Sequence, residues 1–306
     1  RRRARPDRRV IYGMDILNTI INGLNVGVIY AMIALGYTMV YGIAKMLNFA
    51  HGDIIMVGGF TICVFCSLSA SLPMFFAAGI LSVLFCVLLG VTVEKVAYKP
   101  LRGASPLAVL ITAIGISYLL QSLAQIIFGS APKFVRVPEL GVWRLGALNL
   151  KVSTVVTLSA SLLVMVALTL FIRFSKTGRA MIAVSEDKGA ASLMGINVNA
   201  IITVTFAIGS ALAALSGLFY LLQSPYMNNT FGAMPGIKAF TAAVIGGIGS
   251  IPGAMVGSLV LGMIESVCDA VPPITPYKDA IEFSILIVIL LFKPTGILGK
   301  KKREKV

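Results

Sequence analysis

The chain has 306 residues, of which 58% are hydrophobic and only 12% are charged. A soluble domain carries about 25% charged residues, so this composition excludes an ordinary globular protein and indicates an integral membrane protein. The net charge of +14 does not indicate nucleic-acid binding, because the basic residues fall in the tails and short loops, where Lys and Arg set membrane topology.

Apolar runs of membrane length recur along the whole chain. They cover residues 16–43, 54–72, 73–93, 106–128, 153–172, 200–223, 237–270 and 280–293. About 18 consecutive apolar residues suffice for a spanning helix, and the runs are too long for the strands of a barrel. The sequence therefore predicts an all-α, polytopic membrane protein with about eight transmembrane helices and two broken or re-entrant segments.

Basic segments flank this predicted membrane domain, which covers residues 14–294. Residues 1–13 form a basic N-terminal tail, which is either native or an upstream extension ahead of a natural start at Met14. Residues 295–306 form a second basic tail. The first apolar run is too long for a signal peptide and lacks a small-residue cleavage site, so no cleavable signal is expected.

Lys and Arg predict which loops are cytoplasmic. The loops at 94–105 and 173–199 carry more of them than the loops at 129–152 and 224–237, which favours the first pair as cytoplasmic. Counting simple spans outward then places both basic tails on the opposite side, against the same rule. Broken or re-entrant helices would change this count and would bring both tails to the cytoplasmic side.

Two polar, glycine-rich interruptions, at 45–59 and around 246–253, break the apolar pattern. The polar and glycine residues concerned are Asn48, His51, Gly52 and Asp53 at the first, and Thr241, Gly246, Gly249 and Ser250 at the second. Non-helical backbone at membrane depth is tolerated only when it is buried in protein or lines a cavity, so these residues are predicted to line a pathway. For His51 and Asp53 the alternative is that they pair with each other or cap the broken helix.

A polar loop at residues 173–199 lies between two spans. Ser185 can cap a helix start, and Glu186 and Asp187 then occupy the first turn, where the helix dipole favours negative charge. Gly195 is a natural stop, because glycine takes positive φ without strain. The loop is thus predicted to contain a short helix outside the membrane, which either binds another protein or is an ordered loop without a partner.

No catalytic or metal-binding motif is found in the sequence. It has no GxxxxGK[ST] phosphate loop, no HExxH and no GxSxG, and His51 is the only histidine. The cysteines all lie in apolar runs and are interpreted as core residues rather than disulfides or metal ligands; they are Cys63, Cys66, Cys86 and Cys268. Glu265 and Asp269 are expected at an exposed helix end. The chain is therefore expected to be non-catalytic, without cofactor or metal.

Four separated blocks of the sequence resemble one family of transport proteins. They are YAMIALGYTMVYGIAKMLNFAHGDIIMVGG, IRFSKTGRAMIAVSEDKGAASLMGINV, GIKAFTAAVIGGIGSIPGAMVGSLVLG and KPTGILG. In this order they are similar to the branched-chain amino acid permeases of ABC importers, most closely the LivH type. The resemblance implies a multi-pass protein of the bacterial inner membrane that imports leucine, isoleucine or valine by alternating access. The implied partners are a second homologous permease, two cytoplasmic ATPases and a periplasmic binding protein.

The resemblance also implies a role for the polar loop. Permeases of ABC importers carry a cytoplasmic coupling helix with an EAAxxxG signature that docks into the ATPase. The AAxxxG spacing is kept here, whereas Gly189 stands where the family has Glu. The implied ATPase-coupling residues are Ser185, Glu186, Asp187, Ala190, Ala191 and Gly195.

Two other functions stay open at the level of the sequence. The same architecture imports urea or short amides in permeases that resemble this family. A proton-driven secondary amino acid transporter would instead move protons through Asp53 and His51, although the long polar loop and the shortage of intramembrane charge disfavour it. Membrane lipid is an expected partner, and nucleic acid is not.

Overall fold

The computed structural model describes residues 8–69, 71–145 and 148–299, and the remainder of both predicted basic tails lies outside these residues. Its helices are α1 (Arg8–Ala44), α2 (His51–Leu68), α3 (Leu72–Val93), α4 (Pro106–Phe128), α5 (Val152–Phe174), α6 (Lys176–Glu186), α7 (Lys188–Leu193), α8 (Val198–Gln223), α9 (Ala233–Gly246), α10 (Ile251–Ala270) and α11 (Lys278–Phe292). Its strands are β1 (Lys133–Phe134), β2 (Val142–Leu145), β3 (Leu148–Lys151) and β4 (Tyr226–Met227). The strands form two antiparallel ribbons, β1 with β4 and β2 with β3.

Seven of the described helices are long and apolar enough to cross a membrane, namely α1, α2, α3, α4, α5, α8 and α10. The predicted run at 237–270 is divided into α9 and α10, and the predicted last span corresponds to α11. With 15 residues, α11 is about 22 Å long at 1.5 Å rise per residue. The predicted all-α polytopic architecture with about eight membrane helices is confirmed. Of the two segments predicted to be broken or re-entrant, the one around 246–253 is the turn between α9 and α10, whereas the one at 45–59 contains the connection from α1 to α2.

Helix α1 forms the axis of the fold. It is apolar around most of its circumference, which is typical of a helix buried on every face, and residues 28–35 are almost fully buried. Helices α5, α8, α9 and α10 pack around it. Small residues let α10 approach closely, since a Cβ added at Gly23 or Gly27 would meet Met263 or Leu259 of α10.

Helices α9 and α10 form an antiparallel hairpin. Gly246 lies against the backbone of Gly253, and Gly257 lies against the backbone of Ala242. The turn between the two helices includes Gly247 at φ 109°, a conformation that a residue with a Cβ adopts only under strain. The glycine-rich interruption at 246–253 therefore reverses the direction of the chain.

This hairpin determines which segments share an end of the molecule. The end called basal here contains the loops 94–105 and 175–197, the helix breaks 45–50 and 247–250, and residues 293–299. The opposite end, called distal, contains residues 129–145, 148–151, 224–227 and 271–277. At the basal end, Arg102 donates to Asn199, and the Ile297 amide donates to the Ile245 carbonyl at 2.8 Å. At the distal end, Ser266 of α10 donates to the Thr19 carbonyl at 2.7 Å.

The conflict over the sides of the two tails is resolved differently for each terminus. Residues 293–299 lie at the basal end, with the loops that Lys and Arg mark as cytoplasmic. The first interruption only connects α1 to α2, so the early part of α1, around Thr19, lies at the distal end. The interpretation that re-entry brings both tails to one side is therefore wrong for the N-terminal end of α1.

Candidate coupling surface and translocation path

The short helix predicted in the polar loop exists as α7, but it begins two residues later than expected. Asp187 is the N-cap, and its Oδ1 accepts from the amides of Gly189 at 2.8 Å and Ala190 at 3.0 Å. Ser185 and Glu186 belong to the last turn of α6, where the Ser185 hydroxyl donates to the Ile182 carbonyl at 2.7 Å. The prediction that Ser185 caps the helix is wrong, because the chain becomes extended only at Asp187 (φ −151°, ψ 114°).

The C-terminal end of α7 is closed by Gly195, as the sequence predicts. Gly195 has φ 82°, its amide donates to the Ser192 carbonyl, and the Ile196 amide donates to the Ala191 carbonyl, both at 3.0 Å. This pair of bonds is a Schellman motif, which satisfies the free carbonyls at a helix end. The six-residue helix is therefore held at both ends by local hydrogen bonds.

Helix α7 has an inner and an outer face. Ala191 is buried and Lys188 is half-buried, whereas Ala190 is exposed. Leu193 and Met194 at the outer tip are 90% and 82% exposed. Both are apolar and lie outside the spans, so this exposed pair indicates a contact surface for another protein.

Leu193 and Met194 are not among the coupling residues predicted from the sequence. The available signal was a pair of large apolar residues in an otherwise polar loop, immediately before the glycine that ends the helix.

Lys188 joins α7 to the axis of the fold. Its ammonium donates to the carbonyl of Ala44, the last residue of α1, at 2.8 Å. Burial, with the Arg102 guanidinium nearby, lowers the pKa of the Lys188 ammonium below its usual range. This bond brings the predicted coupling loop directly to the first helix break.

The residues of the first break are packed against other helices. The Asn48 carbonyl oxygen Oδ1 accepts from the Tyr98 hydroxyl at 2.8 Å. His51 lies edge-on to Tyr37, with ring centroids 4.6 Å apart, and Gly52 lies against Gly232 of the loop before α9. Each is buried in the chain, so the structure places these predicted pathway residues in packed seams between helices.

Asp53 is buried and accepts from the Gln121 amide of α4 at 2.9 Å. The alternative in which Asp53 and His51 pair with each other does not hold, because His51 packs against Tyr37 and Asp53 bonds to Gln121. Asp53 does lie in the first turn of α2, where the helix dipole favours a negative charge.

The predicted residues of the second break divide between the interior and the surface. Ser250 is half-buried and caps α10, accepting from the Gly253 amide at 3.2 Å. Thr241 and Gly246 are buried, whereas Gly249 is exposed and lies close to Gly42 of α1. The two breaks thus meet at the C-terminal end of α1.

A buried ionic cluster lies in the distal half of the molecule, where the sequence analysis expected an exposed helix end. Lys238 of α9 lies 3.0 Å from Glu265, 2.8 Å from Asp279 and 3.3 Å from Glu282. Glu265 also accepts from the Tyr30 hydroxyl at 2.7 Å. The expectation of exposure is wrong for Glu265, which is 8% exposed, because it is buried between α9 and the start of α11.

Asp269, one turn beyond Glu265, is exposed as expected and pairs with Lys278 at 3.1 Å. The cluster around Lys238 ties α1, α9, α10 and α11 together through paired buried charges. The missed signal was Lys238 itself, since a lysine inside an apolar run requires partners.

Helix α4 carries polar side chains on a face that the rest of the chain leaves uncovered. Tyr118, Ser122 and Gln125 are exposed, and their spacing of four and three residues places them on one side of the helix. The residues that helix α3 exposes along its middle are apolar, such as Phe76 and Ile80. Gln125 accepts from the Asn229 side-chain amide at 3.4 Å, whereas lipid tails would offer the exposed hydroxyls of Tyr118 and Ser122 no hydrogen bond. The α4 face is therefore better suited to protein or water than to lipid.

The comparisons with known proteins agree with this architecture. A family model described as the permease component of branched-chain amino acid transport systems matches residues 19–290. The high-affinity branched-chain amino acid transport permeases LivH of Salmonella typhimurium and of Escherichia coli K12 are each 43% identical, over 95% of this chain and 97% of theirs. The permease BraD of Pseudomonas aeruginosa is 44% identical, over 95% of this chain and 98% of its own.

A solved structure shares the fold. It is an ABC transporter, described as of the metal-chelate type, in an inward-facing conformation, with a TM-score of 0.54, 17% identity, and coverage of 95% of this chain and 90% of that one. The spans and this likeness define the class of the chain, which is a multi-pass membrane protein with the fold of that transporter chain.

Within that class, the chain belongs to the family of branched-chain amino acid transport permeases, because the family model covers most of its length and relatives above 40% identity align end to end. The family is described as a transport permease component. Among the described residues no group of His, Cys, Asp or Glu is arranged to hold a metal ion.

Proposed function

We propose that the chain is the membrane subunit through which leucine, isoleucine and valine enter a bacterial cell across the inner membrane. The relatives that match it end to end are named for high-affinity branched-chain amino acid transport. In this proposal a second homologous permease completes the path, a periplasmic binding protein delivers the amino acid, and two cytoplasmic ATPases supply the energy. The sequence has no phosphate loop of its own, which supports hydrolysis in separate subunits.

The observation that carries the proposal is α7, a short capped helix at the basal end with Leu193 and Met194 exposed at its tip. A pair of exposed apolar residues on a helix fixed at both ends is suited to a groove in another protein, because little conformational freedom is lost on docking. We assign this tip as the contact with the ATPase. Asp187, Ala190, Ala191 and Gly195 shape and seat the helix, and Ser185 and Glu186 end the helix that precedes it.

The path itself is proposed along the exposed polar face of α4, at the junction with the second permease. Gln121 of α4 bonds to buried Asp53, which connects α4 to the first turn of α2, directly after the first break. Asn48, His51, Gly52, Thr241 and Gly246 would then support the path from packed seams, and Gly249 and Ser250 would lie at its basal mouth. Alternating access follows if ATP-driven closure of the ATPases moves α7 and, through it, the helices at the two breaks.

The docking assignment is tested by replacing the tip. In the double variant Leu193→Asp and Met194→Asp, we expect the ATPases to be lost when the chain is extracted and captured, by about thirty-fold or more for a pair of central anchor residues. Uptake of labelled leucine into cells should fall together with the amount of ATPase retained.

Ile182→Asp is the matched control, because Ile182 is also an exposed apolar residue of the same loop but lies on α6. It should retain the ATPases. Equal retention of the ATPases by the tip variant and the control would refute the docking assignment. Competition of leucine uptake by isoleucine and valine, but not by urea, tests the proposed cargo.

A further inference from the structure

The C-terminal end of α1 is held by two lysine side chains. The last carbonyls of a helix have no donor within it, and the dipole makes this end favourable for cations. The Lys45 ammonium donates to the Gly42 carbonyl from within the same turn. The Lys188 ammonium donates to the Ala44 carbonyl at 2.8 Å, from a loop 144 residues away in sequence. Only the second of these bonds connects α1 to a different element.

Lys188 is well placed on α7 to connect this helix to α1. It is the first residue of the helix, directly after the Asp187 N-cap, and its side chain is half-buried while the neighbouring Gly189 and Ala190 are exposed. Leu193 and Met194 are exposed at the other end of the same helix. A force on the tip therefore reaches α1 through six residues held at both ends by hydrogen bonds.

Helix α1 is able to carry a displacement over the full height of the molecule. It is continuous to Ala44, is buried through its middle, and meets α10 at the distal end through the bond between Ser266 and the Thr19 carbonyl. At the basal end it adjoins both breaks: Lys45 begins the first, and Gly42 lies against Gly249 of the second. Packed helices move as rigid bodies rather than by continuous deformation.

We propose that Lys188 is a positioning residue that ties the docking helix α7 to the end of α1, so that movement of α7 is passed to α1 and to both helix breaks. The proposal rests on the proposed function, since it takes α7 to be the ATPase contact. It goes beyond that function by assigning the transmission to one side chain and one backbone carbonyl. Lys188 touches neither cargo nor nucleotide in this scheme.

The test uses the complete transporter in liposomes, with the chain co-expressed with its partner subunits. Three variants are compared with the native chain: Lys188→Met, which keeps side-chain length without a donor; Lys188→Arg, which keeps a donor; and Lys176→Met, which removes an exposed charge from the same loop. Assembly, ATP hydrolysis and leucine uptake are measured on each preparation, and the readout is the amount of leucine transported per ATP hydrolysed.

We expect Lys188→Met to assemble and to hydrolyse ATP, but to transport about five-fold less leucine per ATP or lower, the scale of a coupling free energy between two sites. Lys188→Arg should recover most of that ratio, and Lys176→Met should leave it unchanged. An unchanged ratio in Lys188→Met, a parallel fall of uptake and hydrolysis, or loss of assembly in that variant alone would each overturn the proposal. A native chain that retains no ATPase would instead refute the proposed function.

Discussion

At residues 45–50 the chain leaves α1 and enters α2, and at residues 247–250 it leaves α9 and enters α10. Both breaks are polar or glycine-rich, both reverse the chain, and both lie at the basal end. The first is held by side chains: Tyr98 donates to Asn48, and Lys188 donates to the Ala44 carbonyl. Lys45 within it even adopts φ 59°, which is uncommon for a residue with a Cβ.

The second break is held mainly by backbone. The Ile297 and Leu298 amides donate to the carbonyls of Ile245 and Gly246 at 2.8 and 2.9 Å, and Gly246 and Gly253 are in direct backbone contact. Side-chain bonds can be exchanged by a small movement, whereas close backbone packing admits one arrangement. We therefore expect the first break to change its conformation more easily, and the second break to stay rigid.

The largest expected effect tests the rigidity of the second break. Gly246→Ala places a Cβ into the Gly253 carbonyl, where neither backbone can move aside, so we expect about 3 kcal/mol of destabilisation or more and little folded protein after extraction. Gly42→Ala is the control, because its Cβ would lie 3.6 Å from Gly249, an ordinary contact. Similar yields and thermal midpoints for both variants would show that the second break is not rigid.

A smaller effect is expected from the side chains of the first break. Tyr98→Phe leaves the buried Asn48 oxygen without its donor, which costs about 1–3 kcal/mol. The fold should survive with a lower apparent melting temperature in detergent. Tyr226→Phe, on an exposed tyrosine at the distal end, should change stability by less than about 0.5 kcal/mol. No difference between the two would show that the Asn48 bond does not hold this break.

The smallest effect concerns the one side-chain cap at the second break. Ser250→Ala removes an N-cap bond whose length is 3.2 Å, and the expected cost is about 0.5–1 kcal/mol. Ser284→Ala, an exposed serine of α11, is the control, and the same melting assay compares them. If Ser250→Ala proved more damaging than Tyr98→Phe, the second break would depend on side chains after all.

The sequence is sufficient to predict the membrane spans and the place of both breaks, because hydropathy and glycine content act locally. The positive φ of Gly195 is also predictable from the sequence, because glycine adopts this conformation without strain. The cap of α7 does not, since Ser185 and Asp187 are both good N-cap residues. The choice between them depends on how far α6 continues while Met181 and Val184 pack into the interior.

The contacts that sequence analysis missed join residues that are far apart along the chain. Glu265 is buried between Lys238 of α9 and Lys278 at the start of α11. Lys188 reaches Ala44 only because the loop lies across the end of α1. Neither contact leaves a periodic signal in the sequence, so tertiary structure was needed to find them.

The pairing of Ile297 and Leu298 with the end of α9 has a consequence for biosynthesis. A ribosome releases these residues only after α10 and α11 have been made, and until then the carbonyls of Ile245 and Gly246 lack these donors. After α9 and α10 have been inserted into the membrane, the second break therefore still lacks the hydrogen bonds from Ile297 and Leu298. The step that completes it comes late in translation, and a chain terminated before Ile297 would keep its helices but expose an open helix end at the basal surface.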